Sequence, residues 1–187
     1  MGLFKMIAQA LGMRREKARI LVIGLDNSGK TTLINHLRPK KASVTEVVPT
    51  VGFQVEEFTK HGLAFTIFDM SGQGRYRSLW EEYYSDVQAI VFVVDTTDQI
   101  RMCVAKDELD SLLAHPEMAS APILLFANKM DLPAALSAVD CMGVLELGRI
   151  TENPWHITES NAITGEGVDE GISWLAEHIR TARRGAK

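Results

Sequence analysis

Four residues near the start of the chain have the spacing of a phosphate-binding loop. Gly24, Gly29, Lys30 and Thr31 fit the pattern G-x-x-x-x-G-K-[ST], between an apolar run and a helical segment. Backbone N–H groups at a helix start have no partner within the helix, so they can bind the anionic oxygens of a polyphosphate. Lys30 would add a positive charge at the β- and γ-phosphates, and the Thr31 hydroxyl would be a ligand for Mg²⁺. The predicted binding loop also contains Leu25, Asp26, Asn27, Ser28 and Thr32.

A second group of polar residues, Asp69, Gly72 and Gln73, follows a predicted strand. The Asp69 carboxylate suits Mg²⁺ opposite Thr31, and Gly72 lets the backbone approach a γ-phosphate closely. The Gln73 amide can both donate and accept hydrogen bonds, so it can orient an attacking water. An isolated Asp-x-x-Gly is usually a turn, but after a phosphate loop it indicates phosphoryl transfer. We therefore expect Gln73 and Lys30 to be the catalytic residues.

A third group, Asn128-Lys129-Met130-Asp131, has the composition of a base-recognition loop. The Asp131 carboxylate can accept hydrogen bonds from N1–H and the exocyclic amine of guanine, whereas adenine has no matching donors on that edge. We expect Asn128 to tie this loop to the phosphate loop or to contact the base, and the Lys129 stem to cover the ring. Ala162, with Asn161, would place a backbone N–H near the guanine O6. The sequence therefore predicts a guanine nucleotide rather than an adenine nucleotide.

Alternating strands and helices are predicted to position these groups. Hydrophobic periodicity places strands at 20–23, 52–58, 63–68, 89–94, 123–127 and 155–158, and helices at 31–37, 101–114, 139–147 and 168–183. A turn at 59–62 would join the second and third strands into a hairpin. This order predicts an α/β fold, a mostly parallel six-stranded sheet with one antiparallel edge strand and helices on both faces.

The three groups are predicted to meet at one edge of this sheet. Polar loops follow the strands that end near residues 23, 68, 127 and 158. In a parallel sheet, ligands bind beyond the carboxyl ends of the strands. We therefore expect the phosphate loop, the two later polar groups and the loop at 160–162 to form a single site.

The composition is that of one soluble globular domain. The chain has 187 residues with 46% hydrophobic and 24% charged residues, and its net charge of −4 argues against general nucleic-acid binding. Cys103 and Cys141 have no metal-ligand spacing, and we expect both to be buried thiols in a reducing compartment. Without a run long enough to span a bilayer or a secretion signal, we expect a cytoplasmic protein that is peripheral on membranes.

Residues 1–17 are predicted to be an amphipathic helix and a linker, and 18–187 the globular domain. Leu3, Phe4, Ile7 and Leu11 share one face at helical spacing. This helix would lie on membrane lipid or pack in a groove of its own domain, and its hydrophobic pattern suits both. Gly2 invites myristoylation, but the acceptor pattern needs Ser or Thr where Met6 stands, which argues against acylation.

Taken together, these motifs resemble the Ras-superfamily small GTPases, and nearly the whole chain takes part in the resemblance. The phosphate loop, the stretch 49–53, the run 69–73, the loop 128–131 and the N-terminal helix are similar to the Arf and Arf-like branch. The resemblance implies a P-loop NTPase fold, GTP or GDP with Mg²⁺ as cofactors, and a monomer served by an exchange factor and an activating protein. Within the branch, the run 68–77 is similar to Arf-like GTPases that recruit the BBSome, the Bardet–Biedl coat complex, to ciliary membranes. A BBSome-like coat subunit would then be the effector, at the cilium or basal body.

The resemblance also implies roles for single residues. Thr50 would reach Mg²⁺ and the γ-phosphate in the GTP state. Phe53, Phe68 and Tyr83 would form an apolar patch for effectors, although packing in the core and sheet also explains them. Trp80 is expected in the core. Phe68 stands where typical Arf proteins carry Trp, and Ser71 where they carry Gly, so we expect a stiffer loop at Ser71.

These residues predict a switch with slow turnover. The loop 42–49 contains no Arg, and Asp26 adds a negative charge beside the reacting phosphates. We expect hydrolysis to depend on an activating protein that supplies an Arg. One alternative is a nucleotide-bound recruitment scaffold with little turnover, which Gln73 disfavours. A P-loop phosphotransferase is a further alternative, which Asp131 disfavours because it selects guanine over adenine.

Overall fold

The structure is a computed structural model that describes residues 16–38 and 50–185. The predicted amphipathic helix at 2–12 and the loop 42–49 lie outside the described residues. The described elements are β1 (Glu16–Ile23), α1 (Lys30–Leu37), β2 (Phe53–Lys60), β3 (Leu63–Met70), β4 (Ala89–Asp95), α2 (Met102–Leu113), β5 (Ile123–Asn128), α3 (Ala138–Val144), β6 (Trp155–Ser160) and α4 (Val168–Gly185).

The six strands form one sheet in the order β2-β3-β1-β4-β5-β6. β2 pairs with β3 in antiparallel fashion at one edge, and all the other neighbours are parallel. The prediction of a mostly parallel sheet with one antiparallel edge strand is confirmed.

The core lies on both faces of this sheet. On β1, Ile20 and Val22 belong to a buried cluster that includes side chains of α1 and α4. Leu21 and Ile23 point the other way, into a cluster that includes side chains of α2 and α3. Successive residues of a strand face opposite sides, so a strand buried on both sides reads as an apolar run. Helices on both faces are therefore confirmed, and Trp80 is buried as expected.

The boundaries of several elements differ from the prediction. The hairpin turn is only His61 and Gly62, because Thr59 and Lys60 still belong to β2 and pair with β3. Both turn residues have positive φ, 46° and 76°, which matches the twist of a two-residue hairpin. The helix predicted at 139–147 ends at Val144, and a short 3₁₀ helix follows at Leu147–Arg149. Left-handed backbone at Glu146, with φ 52°, separates the two.

Some features were absent from the prediction. Two 3₁₀ helices, Gly74–Leu79 and Glu81–Asp86, connect β3 to β4. Cys103 is exposed on α2, so its predicted burial was wrong, whereas Cys141 is buried. Within the described part of the chain, no helix is both long and apolar enough to cross a membrane.

Candidate functional site

The carboxyl ends of β1, β3, β5 and β6 bring the predicted groups to one edge of the sheet. Asp69 lies beside Val22 in the register of β1 and β3, and Asn128 lies beside Ser160 in that of β5 and β6. A cavity of about 320 Å³ is lined by the phosphate loop together with Thr50 and the residues 71–73. A second cavity of about 300 Å³ is lined by the base-recognition loops. Both cavities include Asn27, Gly29 and Thr32 in their walls, so they are neighbouring parts of one cleft.

The phosphate loop has a backbone that requires glycine at two positions. Gly24 and Gly29 have φ of 138° and 96°, which L side chains rarely adopt. A Cβ at Gly24 would lie 2.2 Å from the carbonyl oxygen of Val93, and one at Gly29 would lie 2.3 Å from Nδ2 of Asn128. The loop is therefore pressed against β4 and the base loop, and α1 begins directly after it at Lys30.

Lys30 lies at the base of the phosphate loop, almost fully buried. Its Nζ donates to the carbonyl oxygens of Gly24 and Leu25, at 3.0 Å and 2.8 Å. Burial lowers the pKa of Lys30 to about 8, against the attraction of Asp69 and Asp26. A buried cation at the wall of a polar cleft is stabilised by an anion, which suits a phosphate.

Three oxygen-bearing side chains meet beside Lys30. The Thr31 hydroxyl donates to Oδ2 of Asp69 at 2.7 Å, and its oxygen lies 3.0 Å from the hydroxyl oxygen of Thr50. Oδ1 of Asp69 is buried without a hydrogen-bond partner, and burial raises the pKa of this carboxyl group. A buried carboxylate with an unpaired oxygen beside two hydroxyls fits Mg²⁺, a hard cation that prefers oxygen ligands. The structure thus brings together the three predicted metal ligands.

The backbone at Gly72 lies directly against the phosphate loop. Its carbonyl oxygen accepts from the N–H of Asp26 at 3.1 Å, and a Cβ at Gly72 would lie 2.2 Å from that nitrogen. Ser71 donates its N–H to the Gly52 carbonyl at 2.9 Å, and its hydroxyl accepts from the N–H of Gln73 at 3.4 Å. The Ser71 hydroxyl therefore adds a contact to this loop that a glycine would lack.

Gln73 lies in the wall of the phosphate cavity, at the end of this loop. Its Oε1 accepts a hydrogen bond from Nε of Arg75 at 3.2 Å. The guanidinium of Arg75 also lies over the ring of Tyr76, 4.8 Å from its centroid. The side chain predicted to orient water is thus held by a neighbour in this conformation.

Asn128 joins the base loop to the phosphate loop. Its Nδ2 donates to the Ser28 carbonyl at 2.8 Å, and its Oδ1 accepts from the N–H of Ala162 at 3.0 Å. The Ala162 N–H that we expected near the guanine O6 is therefore engaged by Asn128. Oδ1 of Asn161 accepts from the N–H groups of Ile163 and Thr164, at 2.9 Å and 3.3 Å, so this side chain shapes its own loop.

Lys129 and Asp131 lie in the wall of the second cavity. Nζ of Lys129 donates to Oδ2 of Asp95 at 2.6 Å, which holds the lysine stem beside the cavity. Hydrogen bonds from Lys129 and Thr97 lower the pKa of the Asp95 carboxyl group despite its partial burial. Asp131 is exposed, where its carboxylate is accessible to a base edge.

Several residues in or beside the cleft were not predicted from the sequence. Arg101 donates through Nη1 to Oδ1 of Asp26 at 2.9 Å and through Nε to Asp98 at 2.6 Å. The carboxylate of Asp26, which we expected to add negative charge beside the reacting phosphates, is thus paired with Arg101. No local pattern links Arg101 to Asp26, because 75 positions separate them. Leu132 and Ile163 also line the base cavity, and their only signal was adjacency to Asp131 and Ala162.

The three rings of the predicted effector patch lie in contact. The ring centroid of Tyr83 is 5.1 Å from that of Phe53 and 5.2 Å from that of Phe68. Phe68 and Tyr83 pack against the core from partly buried positions, whereas Phe53 is 42% exposed. Val51 and Val55 next to Phe53 are also exposed. The rings therefore combine core packing with an apolar surface on β2.

Comparisons with known proteins agree with this architecture. The model of the ADP-ribosylation factor family matches residues 4–179. ADP-ribosylation factor-like protein 6 of Danio rerio is 53% identical over 185 residues, which are 98% of this chain and 100% of that protein. The protein of the same name from Caenorhabditis briggsae is 40% identical over 182 residues, 96% of each chain.

A solved structure has the same fold. The Arl6 BBS3 small GTPase from Trypanosoma brucei, with the bound nucleotide analogue GppNp, superposes with a TM-score of 0.82 at 41% identity. The match covers 88% of this chain and 98% of that one. This chain therefore belongs to the ADP-ribosylation factor family of small GTPases, in its Arf-like branch.

Proposed function

We propose that this protein is a GTP-binding switch that recruits a trafficking complex to membranes in its GTP form. The observation that carries the proposal is the 3.0 Å contact between the hydroxyl oxygens of Thr31 and Thr50. Thr31 belongs to the phosphate loop and Thr50 to the segment before β2, so their contact joins the nucleotide cleft to the strand that carries Phe53. A γ-phosphate would strengthen this connection because Thr50 would contact it or its metal ion.

The proposed nucleotide is GTP or GDP with Mg²⁺. The phosphates would lie over the N–H groups at the start of α1, with Lys30 against the β- and γ-phosphate oxygens. Thr31, Thr50 and Asp69 would hold Mg²⁺, which neutralises charge on those oxygens. Asp131 would accept from the guanine edge, and Lys129 would cover its ring. The relative from Trypanosoma brucei, solved with GppNp, supports a guanine nucleotide at this site.

We further propose that hydrolysis is slow without an activating protein. Gln73 would orient the attacking water, but Arg75 holds its Oε1 at 3.2 Å in the described conformation. The loop 42–49 contains no Arg to stabilise the transition state. An activating protein would supply that charge and release Gln73 from Arg75. The same contact between Gln73 and Arg75 favours, as a second candidate, a recruitment scaffold with little turnover.

The proposed effector is a BBSome-like coat subunit. The relatives named ADP-ribosylation factor-like protein 6 and the Arl6 BBS3 structure support this choice. Phe53, with Val51 and Val55, offers an exposed apolar surface on β2 next to the Thr50 segment. In the GTP form, the segment 2–12, predicted from the sequence as an amphipathic helix, would bind membrane lipid, so the protein would move from the cytoplasm to a ciliary membrane.

Liposome flotation tests the proposal. Protein loaded with GTP and Mg²⁺ should float with liposomes, whereas protein loaded with GDP should remain in solution. Leu3→Glu combined with Phe4→Glu should abolish flotation because it removes two apolar side chains from the predicted amphipathic segment. Val139→Glu, at an exposed position on α3, is the matched control and should float normally. Equal flotation of the GDP and GTP forms would contradict the switch.

A further inference from the structure

The carbonyl oxygen of Gly72 accepts a second hydrogen bond besides the one from the phosphate loop. Nε of Arg77 donates to it at 3.1 Å, the same distance as the N–H of Asp26 on its other side. The N–H of the same peptide unit belongs to Gln73 and donates to the Ser71 hydroxyl. A peptide unit is planar, so hydrogen bonds to its oxygen and from its N–H together fix its orientation. The orientation of this unit sets where the Gln73 side chain begins.

Arg77 also connects this peptide unit to the body of the domain. Its Nη1 donates to Oε1 of Glu108 at 2.7 Å, and the two side chains are only 18% and 25% exposed. Glu108 lies on α2, next to Leu109, which is fully buried in the core. A guanidinium presents several donors in a rigid fork, so Arg77 reaches the loop carbonyl and the helix carboxylate together.

We propose that Arg77 is a positioning residue for GTP hydrolysis. It acts as a guanidinium clamp between the Gly72 carbonyl and Glu108, which fixes the peptide unit that joins Gly72 to Gln73 and so holds Gln73 beside the γ-phosphate. This inference rests on the proposed GTPase function and adds a residue to its machinery. The clamp acts on the loop proposed to contact the γ-phosphate. It should therefore affect the affinity for GTP and the rate of its hydrolysis, and leave the affinity for GDP unchanged.

Three substitutions test the clamp in the full-length protein. Arg77→Ala should slow single-turnover GTP hydrolysis about 10-fold and weaken binding of a non-hydrolysable GTP analogue about 10-fold, because it removes the hydrogen bond to the Gly72 carbonyl and the pair with Glu108 that anchors it. Arg77→Lys should show smaller losses of hydrolysis rate and of analogue affinity than Arg77→Ala. Lysine keeps the positive charge, but an ammonium lacks the fork that reaches both acceptors. Glu108→Gln should slow hydrolysis about 3-fold, because its amide oxygen still accepts but carries no charge.

The control is Arg149→Ala, which removes an arginine that pairs with Glu146 at 2.6 Å and is 80% exposed. This variant should hydrolyse GTP at the wild-type rate. GDP affinity should stay within about 2-fold for Arg77→Ala, and its Tm should fall by only a few degrees, as expected for the loss of two part-buried hydrogen bonds.

The outcomes separate this inference from the proposed function. If Arg77→Ala hydrolysed GTP at the wild-type rate, the clamp would be overturned and the proposed function would stand. Equal losses of GDP and GTP-analogue affinity would also overturn it, because they would indicate a general structural role. If the wild type bound no GTP, the proposed function would fail and this inference with it.

Discussion

Nδ2 of Asn128 donates to the backbone carbonyl of Ser28 at 2.8 Å, across 100 positions of sequence. Through this hydrogen bond, the loop after β5 is fixed to the phosphate loop, and the Cβ-free face of Gly29 lets the amide approach. The loops of the proposed base and phosphate contacts are therefore directly connected. A disturbance of either loop should change the affinity for the whole nucleotide.

Asn128→Ala should weaken binding of GDP and GTP together by about 10- to 100-fold, measured by fluorescent-nucleotide titration. The substitution leaves the Ser28 carbonyl and the Ala162 N–H without partners, at a cost of about 1–3 kcal/mol each. Asn153→Ala is the matched control, because buried Asn153 donates to the carbonyls of Met118 and Ala121 far along the chain from the cleft. It should lower Tm without changing nucleotide affinity. Similar losses of affinity in both variants would contradict the coupling.

Asp131→Asn should change the base preference. An amide at this position presents a donor to the exocyclic amine of guanine, so GDP affinity should fall about 100-fold. Xanthine carries a carbonyl in place of that amine, and XDP should bind the variant better than GDP. Competition titrations measure both ligands, and Asp110→Asn, at an exposed position on α2, is the control. Unchanged GDP affinity in Asp131→Asn would show that the carboxylate does not contact the base.

Nucleotide affinity should fall with pH above about 8. The pKa of Lys30 is lowered to about 8 by burial, so the free protein loses this proton as the pH rises through that value. Phosphate oxygens favour the charged form, and binding then requires uptake of a proton. GDP affinity should be flat below pH 8 and decrease by up to about 10-fold per pH unit above it. Titrations from pH 7 to 9 measure this slope.

Lys30→Met is the comparison for the pH experiment. It should bind GDP weakly, and its affinity should lack the decrease that begins near pH 8. Any slope that remains in this variant comes from other groups, such as the base itself. The same slope in wild type and variant would contradict the assignment to Lys30.

Arg75→Ala should raise intrinsic GTP hydrolysis by about 2- to 5-fold, because it releases Oε1 of Gln73 from an exposed hydrogen bond. Gln73→Leu should nearly abolish hydrolysis by removing the group that orients water. The double variant should match Gln73→Leu, since Arg75 acts through Gln73. Single-turnover assays measure all three, and a slower rate in Arg75→Ala would contradict the restraining role.

The fold was predictable where packing imposes a pattern on consecutive residues. The strands buried on both faces read as apolar runs, and the spacing of Gly24 and Gly29 reflects a backbone that only glycine adopts easily. Polar residues after those strands therefore located the cleft. The assignment of each of its residues to a nucleotide atom stays a prediction.

Side-chain pairs between distant segments could not be predicted, because they impose no pattern on neighbouring residues. The ion pairs of Asp26 with Arg101 and of Glu108 with Arg77 depend on where two 3₁₀ helices, Gln99–Arg101 and Gly74–Leu79, place their arginines. Those helices are too short for a periodic signal. The hydrogen bond from the Ala162 N–H to Asn128 likewise has no sequence pattern that predicts it. Hydrogen-bond partners follow from tertiary placement, which residue types and spacing do not give.

The most direct test of the switch is the binding of a coat-complex subunit to protein loaded with Mg²⁺ and either GDP or a non-hydrolysable GTP analogue. Isothermal calorimetry with the purified subunit gives both affinities. We predict binding of the GTP-analogue form and at least about 10-fold weaker binding of the GDP form, which a coupling of about 1.4 kcal/mol between the γ-phosphate and the β2 surface would produce. Equal affinity for the two forms would contradict the account.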